Sequence, residues 1–240
     1  MERFWEIDSL RGIALLGMLL SNLITDLAYF NFLDINISSG FWWWFARIVA
    51  GTFIFLVGVS LTLSYSKAKQ KISEKQLLLK YIKRGLKIFS WGLAITLVTW
   101  IFIPQDFVVF GVLHLIGVAI ILSYPFLNKK LPNLIYGIFI FLFGLWLSNF
   151  TFDFNLLLWL GFIPANFHTV DYFPLLPWFG VILLGIYSGN RFYENYKRTF
   201  AVPKWKNSLS VKGLSFLGKH SLKIYLIHQP IILIILFFLF

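Results

Sequence analysis

The chain has 240 residues, of which 59% are hydrophobic, 20% aromatic and only 13% charged, and its mean hydropathy is +0.79. Because a soluble domain usually carries about 25% charged residues, this composition excludes an ordinary soluble protein and predicts a membrane protein. The chain has no cysteine, which excludes disulfide bonds, thiol catalysis and cysteine-ligated metal sites.

Seven apolar stretches follow one another, each close to the roughly 20 residues that a helix needs to cross a bilayer. They are 7–29, 42–65, 82–103, 108–127, 133–150, 174–190 and 213–236. The shorter stretch 154–163 predicts an external interfacial or re-entrant segment. The sequence therefore predicts an all-α fold, a polytopic membrane helical bundle of about seven transmembrane helices, with residues 1–240 forming a single domain.

Basic residues are concentrated in every second connection between these stretches. They fall in 66–87, 128–132 and 190–212, and none falls in 30–41, 104–107 or 151–173. Basic loops usually face the cytoplasm, so the pattern predicts a multi-pass protein of the cell (plasma) membrane with a cytoplasmic N-terminus and an external C-terminus. The net charge of +11 is then explained by loops near anionic membrane lipids, and no nucleic-acid partner is expected.

Four ionisable residues lie inside the apolar stretches: Asp26, Arg47, His114 and His228. Counting ~1.5 Å per helical residue places all four toward the external side, with the two histidines at similar depths. Ionisable groups inside a membrane are costly and usually serve transport or catalysis, which predicts one polar site near the external face. In the simpler alternative, Asp26 and Arg47 neutralise each other and each histidine donates to a backbone carbonyl.

A second polar layer is predicted at the cytoplasmic helix ends. Asp8 and Arg11 are three residues apart and can pair on one helix face. Basic residues at such positions either extend to lipid headgroups or bind the phosphates of an anionic substrate. The candidate cofactor-binding residues are Asp8, Arg11, Arg84, Lys87 and Lys223.

Four segments carry a family resemblance: "RFWEIDSLRGIALLGMLLSN", "ARIVAGTFIFLVGVSLTLS", "FGVLHLIGV" and "SLKIYLIHQP". In this order they resemble the heparan-alpha-glucosaminide N-acetyltransferase catalytic-domain family, within the broader transmembrane acyltransferase superfamily. The similarity covers nearly the whole chain and implies a short prokaryotic member. It also implies that an acetyl group passes from cytoplasmic acetyl-CoA to a sugar acceptor on the other side of the membrane.

The resemblance can be carried over at a few positions. The residues that match family motifs are Asp8, Arg11, Gly12, Asn22 and His228. The proposed active-site histidine of the lysosomal enzyme lies in the loop after its first span, and the corresponding loop here has no histidine. The resemblance therefore requires the catalytic base to come from His228 or His114.

Acyl transfer requires a base of near-neutral pKa and donors for the developing oxyanion. We predict His228 as the general base and His114 as the second candidate, with Asp26 orienting or balancing one of them. Arg47 or Asn22 would stabilise the oxyanion. The expected co-substrate is acetyl-CoA or another acyl-CoA, and no metal is expected.

Two other function classes remain open at this point. The first is a small transporter or permease, although the chain shows no internal repeat of the kind many transporters carry. The second is a catalytically idle relative. The expected partners are membrane lipids and a small-molecule or glycan acceptor, and the "G-x-x-x-G" pair Gly185 and Gly189 permits a helix contact within the chain or in a homodimer.

Overall fold

The computed structural model describes residues 4–239, apart from the side chains of Asn195, Lys204 and Leu239. Over this range the secondary structure is helical, with two isolated β-bridges. The helices are α1 (Trp5–Tyr29), α2 (Gly40–Lys69), α3 (Glu74–Phe102), α4 (Val112–Leu122), α5 (Leu131–Leu147), α6 (Leu175–Phe192), α7 (Leu209–Lys219) and α8 (Ser221–Leu239). The prediction of an all-α membrane protein is confirmed.

Four of the described helices are long and apolar enough to cross a membrane, namely α1, α2, α3 and α8. α4 and α5 are also apolar but have only 11 and 17 residues. The structure thus corrects the predicted number of about seven transmembrane helices, because hydropathy detects a continuous apolar stretch and not a continuous helix.

The fourth apolar stretch, 108–127, contains only the short helix α4. Phe110, just before the helix, forms a parallel bridge with Tyr172 and is therefore not helical. The helix ends at Leu122, where a short 3-10 turn containing Pro125 follows. Proline disfavours helical backbone at the residue before it, so the apolar stretch extends beyond the helix at both ends.

The seventh apolar stretch, 213–236, is divided between two helices. α7 ends at Lys219 and α8 begins at Ser221, while His220 has φ −103° and ψ 9°. Glycine and serine have lower helix propensity than leucine or alanine, and Gly218 and Ser221 flank this break. Apolar composition continues through the break, which is why a single helix was predicted.

The chain forms two compact units, with the boundary inside α2 after Leu56. The first unit combines the described parts of 1–56 and 201–240, and the second contains 57–200. In the first unit α7 packs against α1 through small residues, and the hydroxyls of Ser9 and Ser215 are 2.8 Å apart.

Glycines allow this close approach of α1 and α7. A Cβ atom at Gly12 would overlap the carbonyl oxygen of Leu214, and one at Gly218 would overlap the carbonyl oxygen of Asp8. Backbone atoms cannot rotate away as a side chain can, so any larger residue would push the helices apart. These two glycines therefore set the distance between α1 and α7.

In the second unit the pair Gly185 and Gly189 packs against α2 of the same chain. A Cβ atom at Gly58 would lie 3.0 Å from the carbonyl carbon of Gly185, and one at Gly189 would overlap the hydroxyl of Thr62. The "G-x-x-x-G" pair thus makes a contact within the chain. A homodimer stays a prediction.

The segment 151–173 is mostly irregular and contains one 3-10 turn, Leu158–Leu160. It lies against the chain that leads into α4, since the Val170 N–H donates to the carbonyl oxygen of Asp106 over 3.0 Å. The segment has no helix long enough to span, in agreement with the sequence interpretation. Its position at the membrane interface stays a prediction.

Candidate functional site

Four polar side chains of α1 and α8 form two adjacent hydrogen-bonded contacts in the first unit, which we call the polar ladder. The Asn22 amide nitrogen lies 2.6 Å from Nε2 of His228. Next to it, Nε2 of Gln229 donates to both carboxylate oxygens of Asp26, each at 2.9 Å. Asn22 and Asp26 are four residues apart and so share one face of α1. Two neighbouring residues of α8 are thereby matched to consecutive turns of α1.

The hydrogen-bond partners of His228 define its neutral tautomer. Its Nδ1 lies 2.6 Å from the carbonyl oxygen of Tyr225. Because a carbonyl can only accept, Nδ1 carries the proton, and in the neutral ring Nε2 keeps its lone pair and accepts from Asn22. The residue is only 7% exposed. His228 is therefore a buried, oriented imidazole whose basic nitrogen points toward Asn22.

Gln229 is the member of the polar ladder that sequence reasoning missed. Its amide binds the half-buried Asp26, a role that the sequence analysis considered for Arg47. A signal was present, because Gln229 is polar within an apolar helix and directly follows His228. The four-residue spacing of Asn22 and Asp26 on the facing helix was the complementary signal.

Arg47 packs on its own helix. The guanidinium carbon lies 3.5 Å above the ring of Trp43, and the side chain is exposed. Within residues 4–239, Arg47 forms no ion pair with Asp26 and no hydrogen bond to the polar ladder. The structure thus brings together three of the predicted catalytic residues, Asn22, Asp26 and His228, and does not join Arg47 to them.

His114 belongs to the second unit and has a hydrogen-bond partner for each ring nitrogen. Nδ1 accepts from the Gly111 N–H over 3.2 Å. Nε2 lies 3.4 Å from the hydroxyl of Thr96, which itself donates to the carbonyl oxygen of Val108 over 2.7 Å. A hydroxyl that has donated its proton must accept here, so the neutral ring carries its proton on Nε2.

The ring of His114 is tightly enclosed, and the residue is 2% exposed. Phe89 meets it edge-on with centroids 5.2 Å apart, and Phe110 lies at 5.5 Å. A Cβ atom at Gly92 would come within 3.0 Å of the ring. Its position at the start of α4 gives His114 a capping role, because the first N–H groups of a helix lack partners inside it. Catalysis by His114 stays a prediction.

The predicted pair at the start of α1 is present. Nη1 of Arg11 lies 3.4 Å from Oδ1 of Asp8, and Asp8 is only 4% exposed. Arg84 and Lys87 on α3 and Lys223 on α8 are exposed. In the described residues their charged groups form no hydrogen bond or ion pair, so they are accessible to an anion.

Residues 3–230 match the family model described as heparan-alpha-glucosaminide N-acetyltransferase, catalytic. The chain belongs to this family. The matched range includes all four residues of the polar ladder, on α1 and on α8. No curated protein and no solved structure matches the chain. The long apolar helices together with this family identify a membrane protein of an acetyltransferase family.

The structure gives roles to Asp8, Arg11 and Gly12 of α1, which match a family motif by resemblance. Gly12 is required where α1 meets Leu214 of α7, and the backbone carbonyl of Asp8 lies against Gly218. The carboxylate of Asp8 meanwhile pairs with Arg11. In this acetyltransferase-family chain, the motif therefore positions α7 as well as an arginine at the helix end.

Asp171 is a further residue that sequence reasoning did not select. Its Oδ2 accepts from the backbone N–H of Val112 over 3.2 Å, at the first turn of α4. Burial raises the pKa of Asp171 to about 6, and the hydrogen bond from Val112 lowers it by a smaller amount. No local spacing connects residues 112 and 171, so only the fold could show this contact.

We expect Asp171→Asn to raise the melting temperature at pH 7.5, with a gain that shrinks toward pH 4. Folding raises the pKa of this carboxyl from 3.8 to about 6. Its contribution to stability is therefore present below 3.8 and is lost as the pH rises through about 6. Asparagine keeps an oxygen that can accept from the Val112 N–H, and it carries no charge. Removal of the buried charge should raise the free energy of unfolding at pH 7.5 by on the order of 1–3 kcal/mol.

Thermal unfolding of the purified protein at several pH values between 4 and 8 measures this effect. Asp34→Asn is the matched control, because Asp34 is exposed in another loop. A lower melting temperature for Asp171→Asn at pH 7.5 would show instead that the positive end of the α4 dipole stabilises the carboxylate more than burial disfavours it.

Proposed function

We propose that the chain transfers an acyl group, namely acetyl as in the description of its family, from acyl-CoA at the cytoplasmic face of the cell membrane to an acceptor at the external face. The acceptor is a sugar or glycan. The observation that supports this most directly is His228, a buried neutral imidazole with its Nε2 lone pair directed at Asn22. Family membership supplies the reaction class.

In this proposal the acceptor's hydroxyl or amine takes the place of Asn22 at Nε2 of His228. Nε2 removes the proton while the oxygen or nitrogen attacks the thioester carbonyl carbon. The tetrahedral intermediate then collapses, the carbon–sulfur bond breaks, and the imidazolium returns the proton to the departing thiolate. The products are the acylated acceptor and free CoA. General-base catalysis of this kind typically accelerates a reaction by about 10²–10⁴-fold.

Asn22 acts as a positioning residue for this base before the acceptor binds. Its NH₂ group donates to the lone pair of the neutral ring, and after rotation its carbonyl oxygen can accept from the protonated ring. The same side chain therefore suits both protonation states of His228. Asp26 and Gln229 hold α1 and α8 in register one turn away.

The basic residues at the predicted cytoplasmic helix ends are the candidates for the phosphates of acyl-CoA. The first unit offers Arg11, oriented by Asp8, and Lys223, while the second offers Arg84 and Lys87. Guanidinium and ammonium groups bind phosphate through charge-assisted hydrogen bonds. The orientation with a cytoplasmic N-terminus and an external C-terminus rests on the distribution of basic residues between the connections.

Acetyl-CoA should bind the purified full chain, and Arg84→Ala should weaken that binding about 10- to 100-fold. The variant loses a phosphate contact to a charged group worth about 1.5–3 kcal/mol, and higher ionic strength should weaken binding as well. Titration calorimetry measures both effects. Lys212→Ala is the control, because Lys212 is an exposed basic residue of α7 that the proposal does not use. Absence of acetyl-CoA binding would overturn the proposal and favour a transporter or an idle relative.

A further inference from the structure

A basic pocket lies between α2 and α3 in the second unit, at the connection predicted to be cytoplasmic. Its volume is about 230 Å³. Small-molecule sites usually occupy roughly 300–1,000 Å³, so the pocket suits a small charged group better than a whole nucleotide. We call it the lysine pocket, because three lysines contribute to its lining beside smaller side chains: Lys67, Lys71 and Lys80, with Ser64, Ala68 and Ile72.

No carboxylate in the lining balances the positive charge of the lysine pocket. Glu74 is the one acidic residue in 66–87, and it is exposed and lies outside the lining. Beyond the contact of Lys67 Nζ with the ring of Tyr196 at 5.7 Å, the side chains of the three lysines form no ion pair or hydrogen bond within the described part of the chain. Lys80 lies close enough to Lys67 to be repelled by its charge. A bound anion would offset this repulsion.

The turn between α2 and α3 holds the backbone of the lysine pocket in place. The N–H groups of Lys71 and Ile72 both donate to the carbonyl oxygen of Ala68, over 2.9 and 3.2 Å. α3 then begins with a capping box, in which the Ser73 hydroxyl accepts from the Gln76 N–H over 3.4 Å. In return, the Ser73 N–H donates to the side-chain oxygen of Gln76 over 3.2 Å. The backbone positions around the pocket are therefore set before any ligand arrives.

The helix face that carries Lys80 continues as an exposed apolar stripe. Trp91 and Val98 follow Lys80 by 11 and 18 residues, and at 3.6 residues per turn all three lie within about 20° of one another around the helix axis. This face is basic as far as Lys87 and apolar from Trp91 onward. Trp91 is 44% exposed and Val98 is 53% exposed. Trp91 lies about 16 Å along the axis from Lys80, close to half of the roughly 30 Å hydrocarbon core of a bilayer.

A basic pocket that leads into an exposed apolar stripe selects one kind of anion. Ammonium groups bind phosphate through charge-assisted hydrogen bonds, but a free phosphate has no apolar part to cover the stripe, and the pantetheine arm of CoA is polar. The cytoplasmic leaflet carries anionic lipids. We propose that the lysine pocket binds the headgroup phosphate of an anionic phospholipid, whose acyl chain lies along Trp91 and Val98. This site does not depend on the proposed acyl transfer.

Lipid binding can be measured on the full chain purified in an uncharged detergent, by native mass spectrometry. The probes are dioleoylphosphatidylglycerol, which is anionic, dioleoylphosphatidylcholine, which has the same acyl chains but no net charge, and glycerol phosphate, which has no acyl chain. The anionic lipid should bind at least about tenfold more tightly than either of the others. Equal affinity for phosphatidylcholine would overturn the anionic headgroup. Equal affinity for glycerol phosphate would assign the pocket to free phosphate and overturn the lipid site.

Variants of the lining test whether the lipid binds at this pocket. Lys71→Gln combined with Lys80→Gln should weaken binding of phosphatidylglycerol at least about tenfold, because two ammonium groups are lost while the backbone turn is kept. Lys75→Gln is the matched control, since Lys75 is an exposed lysine of the same connection outside the lining, and it should bind like the unchanged chain. Thermal unfolding shows whether each variant is folded. Unchanged binding in the folded double variant, or an equal loss in Lys75→Gln, would overturn the inference.

Competition with acetyl-CoA separates this inference from the proposed function. Acetyl-CoA should leave phosphatidylglycerol bound to the unchanged chain. Displacement of the lipid by acetyl-CoA, with both ligands weakened by loss of Lys71 and Lys80, would place the CoA phosphates in the lysine pocket and overturn the lipid site. Lipid binding that depends on these two lysines, in a chain that does not bind acetyl-CoA, would support this inference and overturn the proposed function.

Discussion

His228→Ala should lower the rate of acyl transfer by about 10²–10⁴-fold and leave acetyl-CoA binding nearly unchanged. The variant removes the lone pair that Asn22 faces, while the phosphate-binding candidates are untouched. The expected pattern is a loss in kcat with little change in the KM for acetyl-CoA. Transfer of a labelled acetyl group from acetyl-CoA to a glycan acceptor by protein in liposomes measures both quantities.

The control for this prediction is His168→Ala, since His168 is an exposed histidine of the irregular segment 151–173. His228 also bonds to Asn22 and Tyr225, so gel filtration and thermal unfolding must show that the variant is still folded. Asn22→Ala should give a smaller loss, because it changes the orientation of the base without removing it. Near-normal turnover in folded His228→Ala would rule out His228 as the base.

Gly218→Ala should destabilise the protein by about 1–3 kcal/mol or more, and Gly12→Ala should act in the same direction. Each added Cβ atom would overlap a backbone carbonyl oxygen on the facing helix, and helices cannot yield locally as side chains can. The interface between α1 and α7 would have to open, with loss of the hydrogen bond between Ser9 and Ser215. Thermal unfolding and the fraction of monodisperse protein after purification measure the effect.

Gly213→Ala is a matched control for both glycine variants. Gly213 lies in α7 as Gly218 does, but a Cβ atom there would meet nothing within 4 Å. Alanine favours a helix by up to about 1 kcal/mol over glycine, so this variant should melt at the same temperature or higher. Equal melting temperatures for Gly218→Ala and Gly213→Ala would show that the close helix contact is absent in solution.

The apolar stretches and the identity of the polar residues could be predicted because both follow from local composition. Asn22 and His228 are 206 positions apart. Counting depth placed Asp26 of the first stretch and His228 of the last toward the same side, without showing that side chains of the two helices meet. Contact also depends on the rotation of each helix about its axis, which hydropathy does not determine. Gln229 was missed for the same reason.

His114 shows a different limit of sequence reasoning. Its depth in an apolar stretch predicted a polar site, and the structure shows in addition that it lies at a helix start with Gly111 as a partner. The stretch was predicted to begin at residue 108, and the helix begins at Val112. Because the predicted boundary lay one turn too early, the sequence could not show that His114 caps this helix, and catalysis by His114 stays a prediction.

The polar ladder joins the first helix to the last, and this has a consequence for how the protein is made. Asn22 and Asp26 are synthesised about 200 residues before His228 and Gln229. At about 5–20 residues per second, roughly 10–40 s pass before their partners exist. During that time α1 carries an amide and a carboxylic acid with no partner from α8. The polar ladder can therefore form only after nearly the whole chain has been synthesised.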